Sequence, residues 1–118
     1  MRLWMSHEEE TAREKVRSAA AKHQKNRWTE IKQLAEELEQ RYDSLAVVRD
    51  EHIKARQALE EKELQNLEKK ALGQPEADLS AERDVVKKAE DLLKAREGLV
   101  RVSEQRAKAR YPNLFNFL

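Results

Sequence analysis

The stretch Leu72-Gly73-Gln74-Pro75-Glu76 decides the fold, because it is the one clear interruption between two long segments that are both typical of helices. Glycine suits the left-handed position that ends a helix, and proline suits the first turn of the next helix. The stretch therefore predicts two helices joined by a short connection. Helices joined in this way pack side by side in opposite directions, as an antiparallel hairpin.

The sequence on either side of this turn predicts where each helix begins and ends. Neither glycine nor proline occurs in residues 7–72, and Ser6 with Glu9 fits a capping box at the start of the first helix. The second helix is predicted for residues 76–110, because Pro112 pushes Tyr111 out of the helical region. We therefore expect long helices throughout the chain, with a short tail after residue 110.

Composition restricts both the fold class and the chemistry. Ala, Glu, Lys, Leu and Arg supply 71 of the 118 residues, which is typical of long or coiled helices. With 2 Gly and no Cys, the sequence offers no glycine loop for phosphate, no disulfide and no thiolate metal site. His7, His23 and His52 are not spaced to share one helix face. We expect an all-α protein that is not an enzyme and has no catalytic residue, cofactor or metal.

The apolar residues of the second helix repeat at intervals of seven. Leu79, Val86, Leu93 and Val100 form this repeat, which we call the inner seam, and Val85, Leu92 and Leu99 flank it at the same interval. Such a repeat is typical of a helix that packs along another helix, as in a coiled coil. The sequence leaves open whether the inner seam is covered within one chain or between chains.

The first helix has a less regular pattern, and this predicts a change of face along it. Apolar residues alternate by three and four as far as Leu45, and Ile53, Leu64 and Leu67 then restart on a different face, which indicates a stutter or a bend. In a hairpin with the predicted turn, Leu79 is expected near Leu67, and Val100 near Val47.

Charge is unevenly distributed, although 24 basic against 23 acidic residues give a net charge of +1. Residues 13–32 carry seven basic and two acidic side chains. This basic arm is either an ordinary solvated helix face, a surface that meets an acidic protein, or a nucleic-acid contact. Nucleic acid is the least favoured of the three, because Trp28 alone is available for stacking. The candidate partner-binding cations are Arg13, Arg17, Lys22, Lys25 and Arg27.

Large apolar residues near both ends of the chain are the other candidates for partner binding. They either fold back on the hairpin or act as anchors in a pocket of a neighbour, and we favour anchors because aromatic residues carry much of the energy of binding. The candidate anchors are Trp4, Tyr111, Leu114, Phe115 and Phe117.

These features predict three parts of the chain. Residues 1–33 form an anchor and an extended basic helical arm, residues 34–110 form the helical hairpin that turns at residues 73–75, and residues 111–118 form the aromatic tail. No apolar run is long enough to span a bilayer, so we expect no membrane contact.

One part of the hairpin resembles a known group of proteins. The stretch from Leu45-Ala46-Val47-Val48-Arg49 through Leu59-Glu60-Glu61-Lys62-Glu63 to Leu72-Gly73 resembles the small helical microtubule inner proteins of ciliary and flagellar doublet microtubules. The resemblance covers about thirty residues. It implies extended helices along the tubulin lattice, with tubulin and neighbouring filamentous proteins as partners. The regular seven-residue repeat of the second helix is a departure from this group.

The functional hypothesis follows from these patterns and from the resemblance. We expect a non-catalytic structural subunit of a large assembly, namely a microtubule inner protein that stabilises the axonemal doublet, located in the cytoskeleton of a cilium or flagellum. Two alternatives are an oligomeric coiled-coil adaptor that self-associates through the inner seam, and an accessory helical subunit of a ribonucleoprotein complex.

Overall fold

A computed structural model describes residues 7–118, and side chains from residue 10 onward. It contains three helices, α1 (His7–Ala71), α2 (Ser80–Arg110) and α3 (Pro112–Phe115). No strand occurs within residues 7–118. The predicted all-α class and the helical hairpin are confirmed. The chain divides into two units, Met1–Glu36 and Glu37–Leu118.

The turn after α1 has the geometry that the sequence predicts. Gly73 has φ of +70°, in the left-handed region. Its N–H donates to the Lys70 carbonyl at 3.1 Å, and the N–H of Gln74 donates to the Lys69 carbonyl at 2.8 Å. These two bonds form a Schellman motif, which satisfies carbonyl groups at the end of a helix.

The second helix begins later than predicted, at Ser80 instead of residue 76. The Asn66 side chain of α1 accepts a hydrogen bond from the Ala77 N–H at 2.8 Å and donates to the Ala77 carbonyl at 2.9 Å. Asp78 then accepts from the N–H of Ser80 at 3.0 Å. Because the Asn66 side chain uses both backbone groups of Ala77, this residue stays outside the helix.

Within residues 37–118, one face of α1 packs against α2. Leu38, Leu45 and Val48 of α1 are buried, as are Val100 and Ala107 of α2. The same α1 face continues through the half-buried His52 and Leu59 without a change of register. The predicted stutter was therefore wrong. Its residues, Ile53, Leu64 and Leu67, are 43%, 67% and 63% exposed.

The pairing between the two helices also differs from the prediction. Val47 and Leu67, the expected neighbours of Val100 and Leu79, are 58% and 63% exposed. Instead, Lys62 contacts Glu82 and Asn66 contacts Ala77. In these contacts the two helices are shifted along each other by close to one helical turn from the predicted register. The Asn66 bonds fix this register at the turn.

The tail folds back on the end of α2. Pro112 starts α3 at a position where no backbone N–H is needed. The N–H of Phe115 donates to the Tyr111 carbonyl at 3.1 Å. The side chain of Ala107 is 0% exposed. Tyr111, whose N–H donates to the Ala107 carbonyl at 2.9 Å, and Phe115 are both buried as well.

Candidate partner-binding surfaces

The basic arm presents its charges to solvent. All five candidate cations, Arg13, Arg17, Lys22, Lys25 and Arg27, have exposed side chains. At 100° per residue, the three arginines share one side of the helix, whereas Lys22 and Lys25 lie on the other side. The arm is therefore positively charged on more than one side.

A small apolar patch interrupts this charge. Trp28 is 73% exposed, and it lines a surface depression of about 440 Å³ together with Ile31, Ala35, Lys25 and Lys32. Two lysines beside an exposed indole suit a partner that offers both an apolar contact and negative charge. None of the described side chains in residues 10–36 is buried, so this segment has no core of its own.

The inner seam lies inside the hairpin. Leu79 and Val100 are buried, at 4% and 6% exposure, and Val86 and Leu93 are half-buried. Helix α1 covers this face of α2 within the same chain. The inner seam is therefore used in folding, and its residues are not available to join one chain to another while the hairpin is closed.

Polar contacts hold the hairpin along its length. Lys62 Nζ donates to Glu82 Oε1 at 2.7 Å, and this bond lowers the pKa of the Glu82 carboxyl. At the other end, Glu37 Oε1 accepts from Ser103 Oγ and from Arg106 Nη1, both at 3.4 Å. Tyr42 lies on α1 between Glu37 and Lys62. Burial raises the pKa of its phenol, and the neighbouring Glu104 carboxylate raises this pKa further.

The tail residues do not all remain available for a partner. Tyr111 and Phe115 are 8% and 7% exposed, because they pack at the end of the hairpin. The expectation that these two side chains are anchors for a partner is therefore corrected: they fold back on the hairpin. Leu114 and Phe117 are 51% and 76% exposed. Trp4 lies outside the described residues, as does the Ser6 capping box.

The hairpin also has a depression lined by charged residues of both helices. An open depression of about 410 Å³ is lined by His52, Arg56, Leu59, Glu60, Glu63, Val86 and Glu90. No group of three or more His, Cys, Asp or Glu side chains within the described part of the chain is arranged to hold a metal ion. Over the same residues, no helix has the length and apolar character needed to cross a membrane.

Two contacts that position the hairpin were not among the sequence candidates. Asn66 and Glu37 look like ordinary surface residues of a helix in the sequence, yet each bonds to a residue of the second half of the hairpin. The signal for Asn66 was a residue of low helix propensity inside a helix, less than two turns before the helix ends at Ala71.

Comparison of the chain with known protein families, with curated proteins and with solved structures finds no match.

Proposed function

We propose that the chain is a non-catalytic structural subunit of a large assembly, and that its host is the doublet microtubule of the ciliary axoneme. The observation that carries the structural role is the arm, whose described side chains are all at least partly exposed and whose cations lie on more than one side of the helix. The resemblance of residues 45–73 to microtubule inner proteins supports the choice of host.

The arm supports this role because it lacks what an independent helix needs. In proteins, most of the stability of a helix comes from packing one apolar face against a neighbour. Val16 and Trp28 are 69% and 73% exposed, so this packing is missing in residues 10–36. A helix of this kind is stabilised when a partner covers it.

The charge of the arm favours an acidic partner. Arg13, Arg17 and Arg27 on one side, with Lys22 and Lys25 on the other, attract a negatively charged protein surface and speed its association. In the proposed host, tubulin and neighbouring filamentous proteins supply that surface. Leu114 and Phe117 are exposed and remain candidates for a second contact.

The first test is the location of a tagged full-length chain in ciliated cells, followed by extraction of the axonemes with detergent and then with high salt. Retention after the salt wash is expected for a subunit embedded in the doublet. Absence from cilia, or release with the soluble fraction, would contradict the proposed host.

The second test reverses the charge of the arm. Replacing Arg13, Arg17, Lys22 and Arg27 with Glu is expected to reduce retention in axonemes severalfold, because the acidic partner is then repelled. The matched control reverses four exposed cations of the other unit, Arg49, Arg56, Lys70 and Lys87. Equal retention of the arm variant and the unaltered chain would contradict the role of the arm.

The coiled-coil adaptor is the second candidate function, but it cannot join chains through the inner seam, as the sequence first suggested. The inner seam is already covered within the chain, with Leu79 and Val100 buried. An adaptor would need another apolar face to join chains, and α2 has one.

A further inference from the structure

Helix α2 carries a second apolar repeat, on a face that α1 does not cover. Val85, Leu92, Leu99 and Val102 are 57%, 41%, 39% and 51% exposed. They belong to a series that alternates by four and three residues, which we call the outer stripe: Ala81, Val85, Lys88, Leu92, Ala95, Leu99, Val102, Arg106 and Ala109.

The spacing of the outer stripe is that of a coiled-coil seam. Residues that alternate by four and three lie along one side of a helix and meet an adjacent helix over its whole length. From Ala81 to Ala109 the stripe extends about 42 Å at 1.5 Å per residue. Single exposed apolar residues are common, but four large ones in one row, from Val85 to Val102, are typical of a surface that contacts another protein.

We infer that a second copy of this chain covers the outer stripe, with the α2 helices of the two copies antiparallel. The inference does not depend on the host proposed above. In this arrangement the two-fold axis passes between Leu92 and Ala95, so that Leu92 of each copy packs on Ala95 of the partner subunit. Val85 likewise meets Val102 of the partner subunit.

Cations within the stripe select this direction, Lys88 above all, because the Arg106 guanidinium already donates to Glu37 Oε1 of α1 at 3.4 Å. In a parallel, in-register pair, Lys88 would face Lys88 of the partner subunit, and Arg106 would face Arg106 of the partner subunit. Like charges opposed inside a seam are destabilising. In the antiparallel pair, Lys88 lies opposite Leu99 of the partner subunit, and Arg106 lies opposite Ala81 of the partner subunit.

Charges along the edge of the stripe are complementary in the same arrangement. Asp84 and Asp91 lie in the first half of α2, and Lys94 and Arg101 lie in the second half on the same edge. All four side chains are exposed. An antiparallel pair brings Asp84 near Arg101 of the partner subunit and Asp91 near Lys94 of the partner subunit. These two pairs of opposite charge form when the helices run in opposite directions, and Lys87 on the same edge then lies opposite Gly98 of the partner subunit, where no charge opposes it.

The first experiment measures the mass of the purified full-length chain by sedimentation equilibrium. Two copies are expected, and Leu92→Glu is expected to give one copy while the helical circular dichroism of the hairpin is retained. Leu64→Glu is the matched control, because Leu64 is 67% exposed on α1 and lies outside the stripe. A monomeric unaltered chain, or a dimer that survives Leu92→Glu, would overturn the proposal.

The second experiment tests the relative direction of the two α2 helices. Because the sequence contains no cysteine, an introduced cysteine is the only thiol that can react. Single cysteines are introduced and treated with a short bismaleimide. Ala95→Cys lies near the axis and is expected to cross-link to itself, whereas Ala81→Cys is expected to cross-link only when mixed with Ala109→Cys. Efficient cross-linking of Ala81→Cys to itself would show a parallel pair and overturn the antiparallel arrangement.

Discussion

The two units of the chain bury their apolar residues very differently. In residues 37–118, Leu45, Val48 and Val100 are each less than a tenth exposed. In residues 10–36, Val16 and Trp28 are 69% and 73% exposed, and no described side chain is buried. Both units are helical, so helix formation alone does not distinguish them.

The difference shows what a turn contributes to a chain of this composition. The Gly73 turn returns α2 along α1, so the hairpin covers its apolar face within one chain. The described part of the arm has no such return and no buried side chain, and we propose that a partner covers it. Residues 37–118 therefore contain the buried core of the described residues, and the arm is the segment that we propose binds a partner.

The largest expected effect separates the two units directly. Leu45→Ala removes a buried side chain and is expected to lower the free energy of unfolding by about 2–3 kcal/mol. Val16→Ala, on the exposed arm, is expected to change it by less than about 0.5 kcal/mol. Urea unfolding followed by circular dichroism measures both. Similar losses in the two variants would mean that the arm has a core of its own.

A smaller effect is expected at the bonds that set the register. Asn66→Ala removes both hydrogen bonds to Ala77 and is expected to cost about 1–2 kcal/mol. Gln65→Ala is the control, since Gln65 is exposed on the same helix turn. If thermal unfolding shows no difference between the variants, the Asn66 bonds do not fix the hairpin.

The two glycines are expected to respond with opposite sign. Gly73→Ala places a side chain at φ of +70° and is expected to destabilise the hairpin by about 1 kcal/mol. Gly98 lies inside α2, and a Cβ there would meet nothing within 4 Å. Gly98→Ala is therefore expected to stabilise by about 0.5–1 kcal/mol. Melting temperatures of the two variants that move in the same direction would contradict this account of the turn.

The smallest effect is the response of the hairpin to acid. Hydrogen bonds from Ser80 lower the pKa of Asp78, and the bond from Lys62 lowers that of Glu82, from ordinary values of 3.8 and 4.5. Because the folded pKa values are depressed, this stability is present above the ordinary values and is lost as the pH falls through the folded ones. The melting temperature should therefore drop in that range.

A pair of lysine variants isolates the contribution of the hairpin bond to this acid response. Lys62→Met is expected to flatten it, because Glu82 loses its donor from α1. Lys54→Met is the control, since Lys54 pairs with Asp50 on its own helix. A steeper pH dependence in Lys62→Met than in the unaltered chain would contradict the assignment.

Local features made the turn and the helical class predictable from the sequence. Gly73, Pro75 and the lack of glycine and proline in residues 7–72 act on their own neighbours, so no knowledge of tertiary contacts was needed. The start of α2 was missed because a distant side chain, Asn66, holds Ala77. The register was missed because His52 and Asn66 occupy the buried face of α1 although neither is apolar.

The candidate partner surfaces were predictable only in part. The exposure of the five arm cations follows from a segment with few bulky apolar residues. The burial of Tyr111 and Phe115 depends on the packing of α3 against the end of α2, which the tail sequence alone does not indicate. Partner binding by the arm, and by Leu114 and Phe117, stays a prediction.

Hydrogen exchange of the isolated full-length chain, followed by mass spectrometry, measures directly whether the arm is stable without a partner. Strong protection is expected for the amides of residues 38–48 and 100–107. Rapid exchange is expected for residues 13–27, because no side chain there is buried. Protection of residues 13–27 as strong as that of residues 38–48 would contradict it, because the arm would then be stable without a partner.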